Sequence, residues 1–432
     1  MTSAGPDDVH FQVVIPTRNR AKLAMNSVRA VLAEKLPNVS VMVSDNSTQA
    51  DGVAELSAFC HRLGAPVRYV QPPAPAAMAP HFEWAIQQAM QNEKATHFTY
   101  LSDRMVFRPG SIRQLMKIGA RLPGKVISYD HDLIDDFHRP VRLHEFRWSG
   151  RLVEVDAPYL LELAAKSEHP PCNPRILNSF IPRAIFDAVR SRFGNVFDSI
   201  SPDFCFCYRC LDIVDSIVYW DRSILLNYAY DRSNGAGYLR GIDSADSADF
   251  QKQLGSSPMN RDALIPEFHT ITNAVMNEYC FVKKESKSGR FPEVDRASYL
   301  RAMARDIEDI EEPRLRAAQR ELLVREGGTP MPVGKTRLGA QVQKALKDPL
   351  RTARQVARRT LVNSRTQPLW QRAGEMGIAP PSSVWLEFAS ADEALQWTYR
   401  FPRRPTRQLR RLDFMRDREH VREVSPETGA RA

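Results

Sequence analysis

Short apolar runs alternate with amphipathic helical patterns from Phe11 to Tyr129 of this 432-residue chain. The runs are rich in β-branched residues, which favour strands, and the segments between them space apolar residues as helices do. The pattern predicts strands at 11–15, 39–44, 67–70, 97–102 and 125–129, and helices ending at Leu32 and Leu63 and spanning 79–90 and 109–122. Such alternation predicts an α/β fold with a mostly parallel, Rossmann-type sheet and helices on both faces.

Polar residues follow three of the predicted strands at the point where each strand ends. Arg18 and Asn19 follow the first strand, Asp45 and Asn46 the second, and Asp103 the fourth. Ligands bind at the carboxyl ends of parallel strands, so the topology brings these side chains together. A ligand with a base, a sugar and phosphates would contact all three loops at once.

Three motifs occur in order at these strand ends: VIPTRNR at Val14–Arg20, VSDNST at Val43–Thr48 and LSDR at Leu101–Arg104. On these motifs the sequence resembles the family 2 glycosyltransferases with the GT-A fold. The resemblance implies transfer of a sugar, with inversion, from a nucleotide-sugar donor to a glycan, lipid-linked or small-molecule acceptor in polysaccharide or glycoconjugate biosynthesis. A uridine or deoxythymidine diphosphate sugar is the first donor to try. The implied donor contacts are Pro16, Thr17, Arg18, Asn19, Asp45, Asn46 and Asp103.

The chain departs from the family at the acidic motif. Members commonly carry Asp-x-Asp, which holds ribose and a divalent cation, whereas this chain has Ser102-Asp103-Arg104. Mg²⁺ and Mn²⁺ favour oxygen ligands, so Asp103 alone would have to hold the metal. Alternatively, the Arg104 guanidinium replaces part of the metal's charge by donating hydrogen bonds to phosphate oxygens. The sequence leaves metal dependence and metal independence open. It also leaves open a catalytically inert nucleotide- or glycan-binding module recruited through a basic tail.

Other acids are candidates for a general base and for metal ligation. An inverting transferase needs a base for the acceptor hydroxyl, and Asp203, behind Pro202 at a predicted helix start, is the first candidate. Asp198 is the second candidate and Asp212 the third, while a helix-capping role is the structural alternative for Asp203. Four acids after the fifth strand are expected to form an acidic loop and a reserve of metal ligands: Asp130, Asp132, Asp135 and Asp136.

A glycine-containing segment after a strand predicted at 223–230 is expected to contact the acceptor or to close over the donor. Its candidate residues are Arg232, Ser233 and Asn234.

His81 and His131 are expected to approach the donor pocket. Cys205, Cys207 and Cys210 lie close together in the sequence. The surrounding sequence contains neither a second pair of cysteines nor histidines that could complete a zinc site. We therefore expect buried thiols in a reducing compartment rather than a zinc site.

Three segments are expected: a catalytic domain at 1–245, a helical extension at 246–330 and a basic tail, largely helical or partly disordered, at 331–432. Helices are predicted at 249–283 and 294–326. Residues 335–372 and 400–422 contribute +9 and +6 to a net charge of +9, so the remainder carries −6.

The segment 335–372 combines apolar residues at helical spacing with arginines elsewhere around the helix. Such a pattern suits either an anionic membrane surface or a helix packed on the catalytic domain. Nucleic-acid binding is not expected, because the sequence shows no known binding module. A signal sequence and a membrane-spanning run are not evident, so we expect a cytoplasmic protein, with peripheral binding to the inner face of a membrane as the alternative.

Overall fold

The computed structural model describes residues 8–136, 139–146, 148–229, 232–233, 252, 260–331, 385–400 and 413–424. Within them, one sheet has the strand order β12-β8-β10-β6-β9-β4-β1-β2-β3, and β5 lies beside β10, β7 beside β6 and β11 beside β7. The strands are β1 (Phe11–Thr17), β2 (Val39–Asp45), β3 (Val67–Val70), β4 (His97–Tyr100), β5 (Met105–Phe107), β6 (Ile127–Asp135), β7 (Val141–His144), β8 (Leu152–Asp156), β9 (Ser179–Pro182), β10 (Ser216–Asn227), β11 (Trp385–Phe388) and β12 (Val421–Val424).

Six central strands of this sheet run in one direction. β1 pairs in parallel with β2 and β4, β2 with β3, and β6 with β10. Strand β9 lies antiparallel between β4 and β6, so β4 and β6 share a direction. Strands β5, β7, β8, β11 and β12 pair in antiparallel fashion with their neighbours. The prediction of an α/β fold with a mostly parallel central sheet is confirmed.

Helices cover both faces of the sheet. They are α1 (Ala21–Leu32), α2 (Ala50–Leu63), α3 (Met78–Met90), α4 (Ser111–Arg121), α5 (Ala157–Ala165), α6 (Arg183–Phe193), α7 (Pro202–Ile213), α8 (Ile271–Glu285), α9 (Arg296–Ile307), α10 (Pro313–Arg325) and α11 (Ala391–Arg400). Side chains alternate between the two faces along β1. Val13 and Ile15 pack into the core lined by α1, α2 and α4, whereas Val14 packs into the core lined by α3 and α5–α10. Helices on both faces, as predicted, follow from this alternation.

The acidic segment after the fifth predicted strand corrects one expectation. It is not a loop, because β6 continues through Asp130 and Asp132 to Asp135. Asp132 is fully buried but accepts hydrogen bonds from Arg108 Nη2 at 2.5 Å and from the Phe146 N–H at 2.7 Å. A buried carboxylate is tolerated inside a strand when it is paired in this way.

The helices of the extension also begin and end at residues other than those predicted. Among the described residues, turns occupy 260–270, and α8 begins only at Ile271, because the Thr270 side chain accepts the Asn273 N–H and caps the helix. The single helix predicted at 294–326 is two helices, since Glu312 caps a new helix that has Pro313 at its first position.

The extension packs against the catalytic half of the chain. Tyr279 of α8 meets Tyr208 of α7 edge-on, with ring centroids 5.4 Å apart. Within the described part of 331–432, β11 pairs with β7 and β12 with β8. The basic segment 335–372 lies outside the described residues. Among the helices that are described, none has the length and apolar character needed to cross a bilayer.

Candidate functional site

The loops after β1 and β2 are bound to each other through Asn19. Its side-chain oxygen accepts the N–H groups of Thr48 at 2.8 Å and Gln49 at 3.2 Å, and its own N–H donates to Ser47 Oγ at 2.7 Å. Asn19 has a φ of 55°, a left-handed conformation that asparagine tolerates better than most residues. Asn19 therefore fixes the shape of the predicted donor pocket, and its side-chain oxygen is occupied within the protein.

Asp45 and Asn46 hold the neighbouring loops in place. Asp45 is buried and accepts the Ser47 N–H at 2.9 Å and the Tyr69 hydroxyl at 2.8 Å. Burial and this contact raise the pKa of Tyr69, which keeps its hydroxyl protonated as a donor. The Asn46 side chain exchanges two hydrogen bonds with the Ala76 backbone, at 2.7 and 2.9 Å. The β2 end and the segment before α3 thereby form one wall.

Asp103 lies buried just beyond β4 and is bonded to the end of β1. Its Oδ2 accepts the Thr17 hydroxyl at 2.8 Å, and Arg20 Nη1 lies 3.5 Å from its Oδ1. The Ser27 hydroxyl donates to the Met105 carbonyl at 2.7 Å and lies 3.2 Å from the Asp103 carbonyl, which fixes this turn. The structure thus brings the first and third motifs into direct contact, as the parallel topology predicts.

Arg104 extends toward the end of β10. Its Nη1 donates to Asn227 Oδ1 and its Nη2 to Ser233 Oγ, both at 3.4 Å, and its carbonyl accepts the Tyr228 N–H at 2.9 Å. Arg104 is therefore in contact with the segment predicted to be a lid. Asn234, the third residue predicted there, lies outside the described residues.

Asp203 occupies the second position of α7 and keeps 19% of its side chain exposed. Burial raises the pKa of its carboxyl, and Arg175, whose Nη1 lies 4.0 Å from Asp203 Oδ2, opposes that shift. The helix cap position belongs to Ser201. A carboxylate with a raised pKa and access to solvent is a suitable proton acceptor.

The alternative base candidates have structural partners. Asp198 forms an ion pair with the buried Arg209, with Nη2 and Oδ2 2.8 Å apart. Asp212 is buried and accepts hydrogen bonds from Arg192, Ser286 and Ser288. These contacts leave Asp203 as the strongest candidate of the three.

Topology places Asp203 at the same edge of the sheet as Asp103. Because β10 begins just after α7 and runs parallel to β6, α7 starts at the carboxyl edge of the sheet and ends at the amino edge. Arg175 precedes a 3-10 turn, Ile176–Asn178, whose Ile176 carbonyl accepts the Thr99 hydroxyl of β4 at 3.2 Å. Asp203 and its arginine partner are thereby positioned beside the end of β4.

Within the part of the chain that the structure describes, the side chains around Asp103 make a poor divalent-cation site. Asp103 supplies one carboxylate, which already accepts a hydroxyl hydrogen bond and lies beside a guanidinium. Of the reserve ligands, Asp130 accepts the His131 N–H at 2.8 Å, and Asp132 is paired with Arg108. Among the described residues, three metal-ligating side chains come together at Asp417, Glu419 and His420, in the C-terminal segment.

The two histidines expected near the donor pocket lie in different surroundings. His81 Nε2 lies 2.8 Å from the Ser44 hydroxyl, and burial lowers its pKa to about 4, so His81 is neutral at pH 7. His131 is half-exposed beside Asp130, with Nδ1 3.8 Å from Oδ1.

The cysteines of α7 are buried, and burial raises the pKa of Cys210 to about 12. That thiol is therefore a poor nucleophile and metal ligand at neutral pH.

Three residues that contact the candidate site were not predicted: Arg20, Tyr69 and Arg175. Arg20 lies inside the first motif, so its position beyond a strand end was a usable signal. Tyr69 and Arg175 reach the site from a third strand and from a loop far along the chain. Nothing in the local sequence marks either of them.

Comparisons with known proteins give weak similarities. No protein-family model and no curated protein matches the sequence. Among solved structures, the 1–349 fragment of S. aureus TarS in complex with UDP-GlcNAc is 12% identical to this chain. The match covers 74% of this chain and 87% of that fragment, with a TM-score of 0.40. The same fragment in complex with UDP gives the same values. A longer S. aureus TarS structure, of which 53% is covered, has a TM-score of 0.39. Similarity at this level carries no conclusion about activity.

Proposed function

We propose that this protein is a nucleotide-sugar-dependent, inverting glycosyltransferase acting in polysaccharide or glycoconjugate biosynthesis. The observation that carries the proposal is the contact between motifs: Asp103 at the end of β4 bonds to Thr17 at the end of β1, and Asn19 binds the β1 loop to the β2 loop. The three motifs on which the chain resembles family 2 glycosyltransferases therefore line one edge of the sheet. This edge is where α/β sheets bind nucleotides.

In the proposed reaction, the acceptor hydroxyl attacks the anomeric carbon of the donor. The bond from that carbon to the diphosphate oxygen breaks, and the Asp203 carboxylate takes the hydroxyl proton. The raised pKa of Asp203 makes it a stronger base than an ordinary aspartate, while the Arg175 guanidinium favours the ionised form of the carboxylate. A single displacement of this kind inverts the anomeric centre.

Negative charge develops on the departing nucleoside diphosphate, and we propose that arginines stabilise it without a metal ion. Arg104 and Arg20 follow the ends of β4 and β1. Guanidinium groups stay charged at all accessible pH values and donate paired hydrogen bonds to phosphate oxygens. The poor fit of the Asp103 surroundings to a divalent cation supports this choice.

The test is release of nucleoside diphosphate from UDP- and dTDP-sugars by the purified full chain, with Mn²⁺ or with EDTA. Slow release without acceptor is expected in both conditions. Asp203→Asn should abolish acceptor-dependent transfer, and Arg104→Ala should abolish release. Asp187→Asn, which changes an exposed carboxylate of α6, is the matched control and should retain activity.

Different outcomes separate the parts of the proposal. A strict requirement for Mn²⁺ or Mg²⁺ would overturn the arginine mechanism but keep the transferase. Full activity of Asp203→Asn would overturn the assignment of the base. Donor binding without any release from any of the sugars would point to the inert binding module.

A further inference from the structure

A cavity of about 470 Å³ opens between α3 and the loop that leads from α6 to α7. Trp84 and Gln87 of α3 line one side, and Asn195 and Asp198 of the loop line the other. The volume lies within the range of about 300–1,000 Å³ typical of small-molecule sites. The site described above does not use this cavity.

The cavity shares an edge of the sheet with Asp203. Helix α3 starts at the carboxyl edge because it leads from β3 into β4, and α7 starts at the same edge. The loop 194–201 that forms one wall of the cavity runs directly into α7. A ligand held here would lie beside the start of the helix that carries the proposed base.

The walls of the cavity are fixed before any ligand binds. Glu83 Oε2 accepts the N–H groups of Val196 and Phe197 at 2.8 and 2.9 Å, which bonds the loop to α3. The buried Arg209 donates to the Asn195 carbonyl at 3.0 Å and pairs with Asp198. Rigid walls lower the entropic cost of binding.

The chemistry of the lining suits an uncharged, hydroxyl-rich ligand. The Trp84 indole is half-buried: it packs partly against the core beneath α3 and also lines the cavity, and it makes no hydrogen bond within the described part of the chain. Such a ring offers a flat apolar surface with one donor at its edge. The carboxamide nitrogens of Gln87 and Asn195 donate to Glu83 at 3.0 Å and Asp198 at 3.2 Å, so each has one N–H and a carbonyl oxygen left for a ligand. Arginines offset the charge of the carboxylates in part: Arg190 lies 3.7 Å from Glu83, and Arg209 lies 2.8 Å from Asp198 but is shared with Glu285.

We propose that this cavity binds sugar rings of an oligosaccharide acceptor, with one ring stacked on Trp84 and its hydroxyl groups bonded to Gln87, Asn195 and Asp198. The inference rests on the proposed transferase function and specifies its acceptor as a glycan. It also specifies the direction of approach, from α3 toward the start of α7.

The experiment uses the full chain and three uncharged probes: cellotetraose, maltotetraose and chitotetraose. N-bromosuccinimide oxidises accessible indoles, and mass spectrometry of peptides reports the oxidation of Trp84 by itself. At least one probe at 10 mM, on the order of the weak affinities of single carbohydrate subsites, should slow oxidation of Trp84 several-fold. The same probe should bind in calorimetry.

Variants distinguish this site from any other saccharide site. Trp84→Leu should weaken binding of that probe about tenfold, whereas Trp84→Tyr, which keeps an aromatic face, should stay within about threefold of the wild type. Gln87→Ala changes an exposed side chain, should leave the fold intact and should weaken binding several-fold. Unchanged affinity in both Trp84→Leu and Gln87→Ala would overturn the proposal, and so would failure of all three probes to protect Trp84.

Donor hydrolysis without acceptor separates this inference from the transferase proposal. Hydrolysis with no protection of Trp84 would refute the glycan site alone. Protection of Trp84 without hydrolysis of any donor would refute the transferase while leaving a saccharide-binding site.

Discussion

Replacing Glu278 with glutamine is expected to remove a large pH dependence from the stability of this protein. Glu278 of α8 is fully buried, and its Oε1 accepts hydrogen bonds from the Ser199 hydroxyl at 3.0 Å and the Ser201 N–H at 3.1 Å. Its Oε2 is buried without a hydrogen-bond partner among the described residues. Glutamine keeps the accepting oxygen and the shape of the side chain but cannot ionise.

The magnitude follows from linkage between protonation and folding. Burial raises the pKa of Glu278 to about 8, against 4.5 for an ordinary glutamate. The folded state therefore holds the proton more tightly than the unfolded state, and the resulting stabilisation is complete below pH 4.5 and is lost as pH rises toward 8. At about 1.4 kcal/mol per pKa unit, the wild type should lose about 3–4 kcal/mol between pH 5 and pH 8 through this group.

Urea denaturation of both proteins at pH 5, 6, 7 and 8 measures this effect. Glu278→Gln and the wild type should have similar unfolding free energies at pH 5, and the variant should be the more stable by about 3–4 kcal/mol at pH 8. Glu321→Gln changes an exposed glutamate of α10 and should follow the wild type at every pH. Parallel curves for Glu278→Gln and the wild type, within about 1 kcal/mol, would show that Glu278 does not titrate in this window.

Three further predictions concern single contacts. Arg175→Gln removes the charge that lowers the pKa of Asp203, so the acidic limb of the pH–rate profile should move to higher pH; an unmoved limb would exclude this coupling. Gly119→Ala places a Cβ 2.4 Å from the buried Phe180 ring and should cost about 1–3 kcal/mol in urea denaturation, although alanine favours helix more than glycine does. Tyr69→Phe removes a donor from the buried Asp45 carboxylate and should cost about 1–3 kcal/mol; unchanged stability would mean that water replaces the hydroxyl.

The central strands were predictable because they are buried on both faces. Strands β1 and β2 are mostly apolar, with Gln12 and Ser40 as interruptions, and every residue of β1 is buried. Their parallel order places the polar residues that follow them at one edge, which is why the sequence predicts that Asp45 and Asp103 lie at the same edge. The contact between Thr17 and Asp103 links residues 86 positions apart, and the parallel pairing of β1 with β4 brings them together.

Other parts depended on contacts that the local sequence does not show. The extent of β6 was missed because its acidic residues predict a loop, whereas hydrogen bonds from Arg108 and the Phe146 N–H make a buried Asp132 acceptable in a strand. Arg175 could not be found because a 3-10 turn beside β4, rather than any motif, brings it to Asp203. The break between α9 and α10, by contrast, was marked in the sequence by Pro313.

The substitution of Ser-Asp-Arg for two carboxylates changes how the site balances charge. In this chain the Asp103 carboxylate is already bonded to Thr17 and lies beside Arg20, so it adds little net negative charge to attract a cation. Arg104 adds a positive charge at the position after it. In the proposed mechanism, a site of this composition presents the donor diphosphate with fixed positive charge, which does not depend on metal concentration. On that mechanism, chelation should leave the proposed transferase reaction unchanged, whereas added salt should weaken donor binding by screening the guanidinium groups.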